Sequence, residues 1–290
     1  MDEIRIFNEE FYEKLNILRS KAQLSRSAAG QSGARKSRAK GSSVEFSDFR
    51  EYILGDDIRR IDWNAYGRFD KLFVKLFTEE KEGVFRIFVD SSASMDFGEK
   101  SKAVCALRIA GAIAYSVLEN SDRLMLNVCG STGNTKYKSV TGRNAFAGTL
   151  EKLKNVRFAG STDLLDCLKR AEINSSGMTI IISDFYTDKL EEILRYLAFS
   201  RQEVFLIRVF SEEELNPQLE GTVSLIDSED GSEMRVTGGT GLMKAYKENL
   251  KRFSEETERL SRKYSTKNLL VSSSEPLDQI FYKVLAKISM

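Results

Sequence analysis

From residue 84 onward, short apolar runs alternate with amphipathic segments, and this alternation limits the fold more than any other feature. Runs typical of buried strands occupy residues 84–90, 124–129, 135–140, 178–183, 203–210 and 268–271. Between them, apolar residues at helical spacing occupy residues 99–119, 144–154, 163–173, 188–198 and 242–264, and a last helix follows Pro276. Strands that alternate with helices favour a mainly parallel sheet covered on both faces. We therefore predict a Rossmann-like α/β domain over residues 81–290.

Two segments stand outside this alternation. The short runs 222–226 and 233–237 flank a polar turn, which predicts a β-hairpin insertion. Residues 3–24 carry apolar side chains at helical spacing, and a basic, Ser- and Gly-rich loop then leads into an aromatic and charged segment. We predict that residues 1–80 form an N-terminal extension packed on the core.

The composition excludes several classes of function. The chain has no histidine, which removes Ser-His-Asp and Cys-His nucleophiles as well as His-ligated zinc and iron. Basic and acidic residues number 44 and 43, so the overall charge gives no reason to expect nucleic acid or an anionic membrane as the partner. We accordingly predict a binding protein and no enzymatic activity.

The cysteines and the apolar segments indicate a location. Cys105, Cys129 and Cys167 are odd in number, lack CxxC spacing and lie in apolar surroundings, so we predict buried free thiols in a reducing cytosol. The first residues lack the basic and apolar regions of a secretory signal. The most apolar stretch, 103–118, contains an arginine and is too short to span a bilayer. A cytoplasmic protein without a membrane span is the prediction.

Five oxygen-bearing side chains are predicted to meet at the carboxyl edge of the sheet. Asp90, Ser92 and Ser94 follow the first core strand at alternate positions and can face one ligand together. Thr162 opens a helical segment, and Asp184 ends another buried strand. Hydroxyl and carboxylate oxygens suit a hard cation, so we predict an Mg²⁺ site, with Mn²⁺ or Ca²⁺ as alternatives. The other interpretation is a set of capping hydroxyls and hydrogen-bonded aspartates in a scaffold that binds no metal.

These three segments resemble the metal-ion-dependent adhesion site (MIDAS) of von Willebrand factor A domains. The D-x-S-x-S sequence, the loop threonine and the strand-end aspartate of that family match Asp90, Ser92, Ser94, Thr162 and Asp184 without a substitution. The resemblance implies that the first and fourth core strands are neighbours, that the hydroxyls contact the metal and that the two aspartates act mainly through water. It also implies that an acidic residue of a protein partner completes the metal's coordination.

Upstream motifs resemble a narrower bacterial family, domain of unknown function 58. The motifs are Gly41-Ser-Ser-Val-Glu-Phe, Tyr52-Ile-Leu-Gly-Asp-Asp-Ile-Arg-Arg-Ile-Asp-Trp63, Arg68 and Leu72-Phe-Val-Lys-Leu-Phe-Thr-Glu-Glu80. Genes of this family often neighbour those of MoxR-type AAA+ ATPases. The resemblance therefore implies an adaptor or chaperone-like role beside such an ATPase or its target complex. Some members are membrane-anchored.

Two regions of the first 80 residues leave alternatives open. One set of side chains either forms a partner surface or pairs and packs structurally: Arg59, Arg60, Asp62, Trp63 and Arg68. The basic run between Lys14 and Lys40 either contacts nucleic acid, another acidic partner or a membrane surface, or is a solvated arm.

Two alternative functions, a phosphatase and a dinucleotide-binding protein, each require a sequence motif that this chain lacks in part. An aspartyl-phosphate phosphatase is expected to carry a second Asp where Ser92 stands. Dinucleotide binding is expected to show G-x-G-x-x-G after the first core strand, and this sequence does not.

Overall fold

The computed structural model describes residues 6–17, 44–79, 83–131, 133–218, 221–229, 231–237 and 239–289. The predictions for the loop and most of the basic run before residue 44 lie outside the described residues. The chain divides into two compact units, Met1–Lys21 with Gly83–Met290, and Ala22–Glu82. The first helix thus groups with the core rather than with the rest of the first 80 residues.

A six-stranded sheet forms the centre of the larger unit. Its strands are β3 (Val84–Asp90), β4 (Arg123–Gly130), β5 (Gly133–Lys136), β6 (Gly177–Ser183), β7 (Gln202–Phe210) and β10 (Lys267–Ser272). They lie in the order β10-β7-β6-β3-β4-β5, all parallel except the antiparallel edge strand β5. The first core strand, β3, therefore pairs with both β4 and β6. The predicted α/β fold with a mainly parallel sheet is confirmed.

Helices cover both faces of this sheet, as predicted. They are α3 (Lys102–Glu119), α4 (Phe146–Lys154), α5 (Leu164–Arg170), α6 (Leu190–Phe199), α7 (Glu212–Leu215), α8 (Thr240–Lys263) and α9 (Leu277–Ser289). Alternate residues of β3 point to opposite faces: Ile87 and Val89 pack with α3, α4 and α9, whereas Phe88 packs with α5, α6 and α8. Two apolar clusters on either side of one sheet hold the fold together.

The described part of the first helix, α1 at residues 9–17, contributes to the first of these clusters. Phe11 is fully buried, and its ring lies 5.7 Å from that of Phe281 in α9 in an edge-to-face arrangement. Phe7 and Leu15 are buried on the same face, at the helical spacing of four residues. The predicted amphipathic helix therefore belongs to the core.

The smaller unit is a two-stranded antiparallel sheet with one short helix. Strand β1 (Val44–Glu51) pairs with β2 (Phe73–Glu79), and α2 (Trp63–Phe69) lies between them in the sequence. Strand β1 was not predicted from the sequence. Charged and apolar side chains are mixed in β1, and its pairing with β2 defines it as a strand.

The predicted hairpin insertion is observed as β8 (Thr222–Ile226) and β9 (Glu233–Thr237), which form a separate sheet.

The prediction of free thiols was wrong for two of the three cysteines, because Cys129 in β4 and Cys167 in α5 form a disulfide with a Cα–Cα distance of 5.8 Å. Cys105 is free and buried, and its burial raises the pKa of its thiol to about 12. Among the described residues, every helix is too short or too polar to cross a membrane.

Candidate metal centre

The carboxyl ends of β3 and β6 lie side by side and bring two of the predicted site residues together. Asp90 ends β3 and is 4% exposed; Asp184 directly follows β6 and is 2% exposed. Ser183 connects the two strand ends, since its hydroxyl donates to Asp90 Oδ2 at 2.6 Å and accepts from the N–H of Phe185 at 2.9 Å. Parallel strands thus place both carboxylates at one edge, where open α/β sheets bind ligands.

The two predicted serines follow Asp90 in a tight turn. The backbone N–H of Ser92 donates to Asp90 Oδ1 at 3.0 Å, and a 3₁₀ turn begins at Ala93. This turn places the hydroxyl oxygens of Ser92 and Ser94 3.0 Å apart. Neighbouring ligands of an octahedral Mg²⁺ with bonds of 2.0–2.1 Å lie about 2.9 Å apart. The hydroxyl pair therefore has the spacing of two adjacent ligands, which is also that of a hydrogen bond.

The loop that carries Thr162 is tied to the same turn by backbone hydrogen bonds. The N–H of Ala93 donates to the Gly160 carbonyl at 2.8 Å, and the N–H of Ala159 donates to the Ser91 carbonyl at 3.0 Å. The Thr162 hydroxyl donates to the Cys129 carbonyl at 3.3 Å. Since Cys129 is also bonded to Cys167 in α5, the loop is held between the end of β4 and the helix that follows it.

Asp184 is fixed on both of its carboxylate oxygens. Phe185, with φ of 59°, turns the chain so that the N–H of Tyr186 donates to Asp184 Oδ1 at 3.3 Å. Lys102 donates to Asp184 Oδ2 at 2.9 Å and to Glu214 Oε1 at 2.6 Å. The lysine side chain has no solvent exposure, so this ion pair is buried.

Lys102 and Glu214 were not predicted from the sequence. A signal for Lys102 was present, because it lies three and four positions before the buried Cys105 and Ala106 and so shares their helix face. Glu214 gives no comparable signal. It lies 112 residues away from its lysine and is aligned by a capping box with Ser211 at the start of α7.

The charges at this edge do not balance. Lys102 offsets one of the two carboxylates that it contacts, and no basic side chain pairs with Asp90 within the part of the chain that the structure describes. Burial raises the pKa of Asp90, and the negative charge of Asp184 raises it further, whereas hydrogen bonds from Ser183 and Ser92 act in the opposite direction. A buried carboxylate without a cationic partner is costly. When Asp90, Asp184 and Glu214 are all ionised, Lys102 leaves an excess of negative charge that a bound cation would offset.

The charges at this edge also act on Glu229 in the β8–β9 hairpin. Burial raises the pKa of Glu229, an interaction with the Ser94 hydroxyl lowers it, and the charges of Asp90, Asp184 and Asp227 raise it further. No sequence motif links the hairpin to Ser94, so this residue could be found only from the structure.

The donor set fits a hard cation bound through hydroxyls. Among the described residues, no three His, Cys, Asp or Glu side chains are close enough together to hold a metal by themselves. The five predicted residues offer a different set, in which three hydroxyls are backed by two carboxylates. Such a set suits Mg²⁺, which keeps several of its waters and prefers oxygen ligands.

The second predicted surface lies in the smaller unit. Asp62 caps α2 by accepting from the N–H groups of Asn64 and Ala65, at 2.9 and 3.3 Å, and it also pairs with Lys75 at 3.2 Å. Arg59 and Arg60 are exposed, as is Arg68. Trp63 is 64% exposed and contacts Tyr66 edge to face, with ring centroids 6.4 Å apart. The structural role is thus clear for Asp62, whereas Trp63 is largely exposed.

The chain matches the family described as "Protein of unknown function DUF58" over residues 48–256. The uncharacterized proteins Rv1480 of Mycobacterium tuberculosis and Mb1516 of Mycobacterium bovis are each 30% identical to it over 200 residues. This match covers 66% of the chain and 62% of each relative. The chain therefore spans less than two thirds of the length of these relatives.

Several solved structures are similar at low identity. BatB from Bacteroides thetaiotaomicron is 11% identical with a TM-score of 0.44, and the match covers 71% of this chain and 98% of BatB. The SpRpn10 VWA domain is 8% identical with a TM-score of 0.42, covering 70% and 94% of the two chains. Since the family match covers most of the sequence, the chain belongs to the DUF58 family.

Proposed function

We propose that this protein is a non-enzymatic interaction module that binds an acidic residue of a protein partner through Mg²⁺ held by Asp90, Ser92, Ser94, Thr162 and Asp184. The observation that carries the proposal is the Ser92–Ser94 hydroxyl pair, 3.0 Å apart, beside two buried carboxylates with unbalanced charge. A carboxylate oxygen is the ligand that a hard cation in this donor set accepts most readily.

Each residue has a distinct part in this proposal. Ser92, Ser94 and Thr162 present the hydroxyl oxygens. Asp90 and Asp184 would supply the negative charge that attracts the cation and would accept hydrogen bonds from the water around it. When bound, the metal supplies a positive centre for the partner's carboxylate. Lys102 restrains Asp184 and keeps the edge from becoming more negative.

The proposed partner is a MoxR-type AAA+ ATPase or a complex that it remodels, with this chain as an adaptor or chaperone-like cofactor. This part of the proposal is supported by the family membership and by the gene association stated above. A cytoplasmic location is also proposed. Two of the three cysteines form a disulfide, so the cysteines do not support this location.

The metal site is tested by titrating the full chain with Mn²⁺ and Mg²⁺ in a calorimeter. We expect wild type to bind one divalent ion, and Ser92→Ala or Ser94→Ala to weaken binding by at least about 10-fold. Ser139→Ala is the matched control, because Ser139 is an exposed serine at the opposite edge of the sheet. Equal binding by all four proteins would exclude this donor set.

The partner is tested by pull-down of a purified MoxR-type ATPase with Mg²⁺ or with EDTA. Capture by wild type in Mg²⁺, and its loss with EDTA or with Ser94→Ala, are the expected results. Capture that ignores both changes would contradict the metal-dependent mechanism.

A further inference from the structure

The Cys129–Cys167 disulfide connects two of the segments that form the candidate metal site. Cys129 lies in β4 directly beside Asp90, its partner in the register of β3. Cys167 lies in α5, which begins two residues after Thr162. The bond therefore joins the strand position next to one predicted site residue to the helix that follows another.

The carbonyl oxygen of Cys129 accepts hydrogen bonds from both of these segments. The backbone N–H and the hydroxyl of Ser91 each donate to it at 2.8 Å. The Thr162 hydroxyl donates to the same oxygen at 3.3 Å, which leaves the lone pairs of the hydroxyl free for a cation. A shift of α5 relative to Cys129 therefore changes the position of a hydroxyl that belongs to the proposed donor set.

Apolar packing keeps α5 on the sheet whether or not the disulfide is formed. Three leucines of this helix are buried in the cluster that also contains both cysteines: Leu164, Leu165 and Leu168. In a close-packed interior, two thiols need more room than two bonded sulfur atoms. Reduction should therefore move the start of α5 locally without opening the core.

We propose that this disulfide is a redox control of the metal site, in which the bonded pair holds Thr162 in place for the cation and the reduced pair releases it. This inference rests on the proposed function, since it concerns the same cation. The reductant is a dithiol. It gives two electrons and two protons, Cys129 and Cys167 become thiols, and the dithiol becomes a disulfide. Cytosolic disulfides are usually transient and redox-sensing, so the proposed cytoplasmic location fits this role.

The control acts in both directions by thermodynamic linkage. If the disulfide strengthens metal binding, the bound metal stabilises the disulfide against reduction by the same factor. Cys129 and Cys167 are 0% and 1% exposed, so a reductant reaches them only when α5 opens locally. A cation held in part by Thr162 opposes that opening.

The experiment uses Mg²⁺ alone and the full chain. Calorimetry measures Mg²⁺ binding by the oxidised protein and by the protein kept reduced with dithiothreitol, for wild type, Thr162→Val and Cys105→Ala. Cys105→Ala is the matched control, because Cys105 is a buried cysteine outside the disulfide. Cys129→Ala with Cys167→Ala represents the open pair without a reductant, and hydrogen exchange at residues 159–170 reports the order of the loop and α5 without metal.

We expect reduction to weaken Mg²⁺ binding about 10-fold in wild type and in Cys105→Ala. The double alanine variant should bind as weakly as reduced wild type. Thr162→Val keeps the shape of the side chain without its hydroxyl, so its binding should be weak and independent of reduction. In a glutathione redox buffer, saturating Mg²⁺ should favour the wild-type disulfide by the same factor that reduction removes from the affinity.

Equal Mg²⁺ affinity of oxidised and reduced wild type would overturn the inference, and so would an equal effect of reduction in Thr162→Val. Hydrogen exchange that accelerates across the whole sheet on reduction, rather than at residues 159–170, would also overturn it, because the control is local. Failure of the proposed function looks different, since oxidised wild type would then bind no Mg²⁺.

Discussion

Lys102 and Arg86 are buried basic side chains at opposite edges of the core sheet, and their charges are compensated differently. At the carboxyl edge, Lys102 contacts two carboxylates, those of Asp184 and Glu214. At the amino edge, Arg86 is 3% exposed and donates to neutral oxygens, at 3.0 Å to Gln202 Oε1 and at 3.0 and 2.5 Å to the carbonyl and hydroxyl of Ser175. Burial lowers the pKa of Arg86 as a result. Lys102 is thus paired with charged acceptors, whereas Arg86 is paired with neutral ones.

This difference distinguishes the candidate site at the carboxyl edge from the amino edge. The acceptors of Arg86 satisfy its hydrogen bonds, so the amino edge needs no further group, although it borders a cleft of about 280 Å³. The carboxyl edge has convergent side chains and an Asp90 without a basic partner among the described residues. Unbalanced charge, rather than the size of the cleft, marks the candidate site.

Among substitutions at the two edges, Lys102→Met is expected to lower the free energy of unfolding most. It leaves Asp184 and Glu214 buried without a cation, and removal of one partner of a buried ion pair costs about 3–5 kcal/mol. Urea unfolding measures the loss. Millimolar Mg²⁺ should restore part of the stability, because it replaces positive charge at this edge.

Glu214→Gln in the Lys102→Met background is the control, and it should recover stability by removing one of the two unpaired charges. A Lys102→Met protein as stable as wild type would mean that the carboxyl edge does not depend on charge compensation.

The disulfide is expected to have the next largest effect. It closes a loop across 38 residues, and loss of such a cross-link costs about 3–4 kcal/mol through the entropy of the unfolded chain. We expect Cys129→Ala with Cys167→Ala to show this loss in urea unfolding and faster hydrogen exchange at residues 159–170. Residues 172–178, at the amino edge, should exchange as in wild type; equal acceleration at both edges would contradict a local role.

Arg86→Met should lower the free energy of unfolding by less than Lys102→Met does. It leaves neutral acceptors on Gln202 and Ser175 unsatisfied but no unpaired charge, which amounts to about 1–3 kcal/mol. Its stability in urea should not respond to Mg²⁺. A loss larger than that of Lys102→Met, or one that Mg²⁺ reverses, would remove the distinction between the two edges.

The smallest effect is expected at an exposed pair beside the candidate site. Asp163 caps α5 and pairs with Lys189 at 2.7 Å, and the hydrogen bond from Lys189 lowers the pKa of Asp163 below 3.8. A carboxyl group whose pKa is lower in the folded chain than in the unfolded chain stabilises the folded state at pH values above its unfolded pKa. This stabilisation is lost as the pH falls through the pKa of the folded state. Asp163→Asn should therefore cost about 0.5–1 kcal/mol at pH 7, measured by urea unfolding, and the difference from wild type should shrink below pH 3.8. If the stability difference between wild type and Asp163→Asn instead grew on acidification, ionised Asp163 would not stabilise the folded state.

The sequence predicted those features whose signal is local. Apolar periodicity located the strands and helices of the core and the hairpin, because burial on both faces of a parallel sheet leaves continuous apolar runs. Asp90, Ser92 and Ser94 were found because one short motif contains all three. Strand β5 ends earlier than predicted, since Val140 makes an isolated bridge to Leu124 instead of extending the strand.

The features that were not predicted depend on residues far apart in the chain. The partners of Lys102 lie 82 and 112 residues away, and those of the disulfide are 38 residues apart without a recognisable spacing. Tertiary contacts of this kind follow from the fold and leave no periodic signal in the sequence.

The burial of α1 beside α9 has a practical consequence for dissecting this family. The family match covers residues 48–256, and a fragment cut at those limits would lack α1, β10 and α9. Ile113 of α3 and Ile207 of β7, both fully buried in the cluster shared with α1 and α9, would lose apolar cover. Such a fragment should expose this apolar surface and aggregate. A fragment that retains residues 6–17 and extends to 289 keeps the surface covered by α1 and α9.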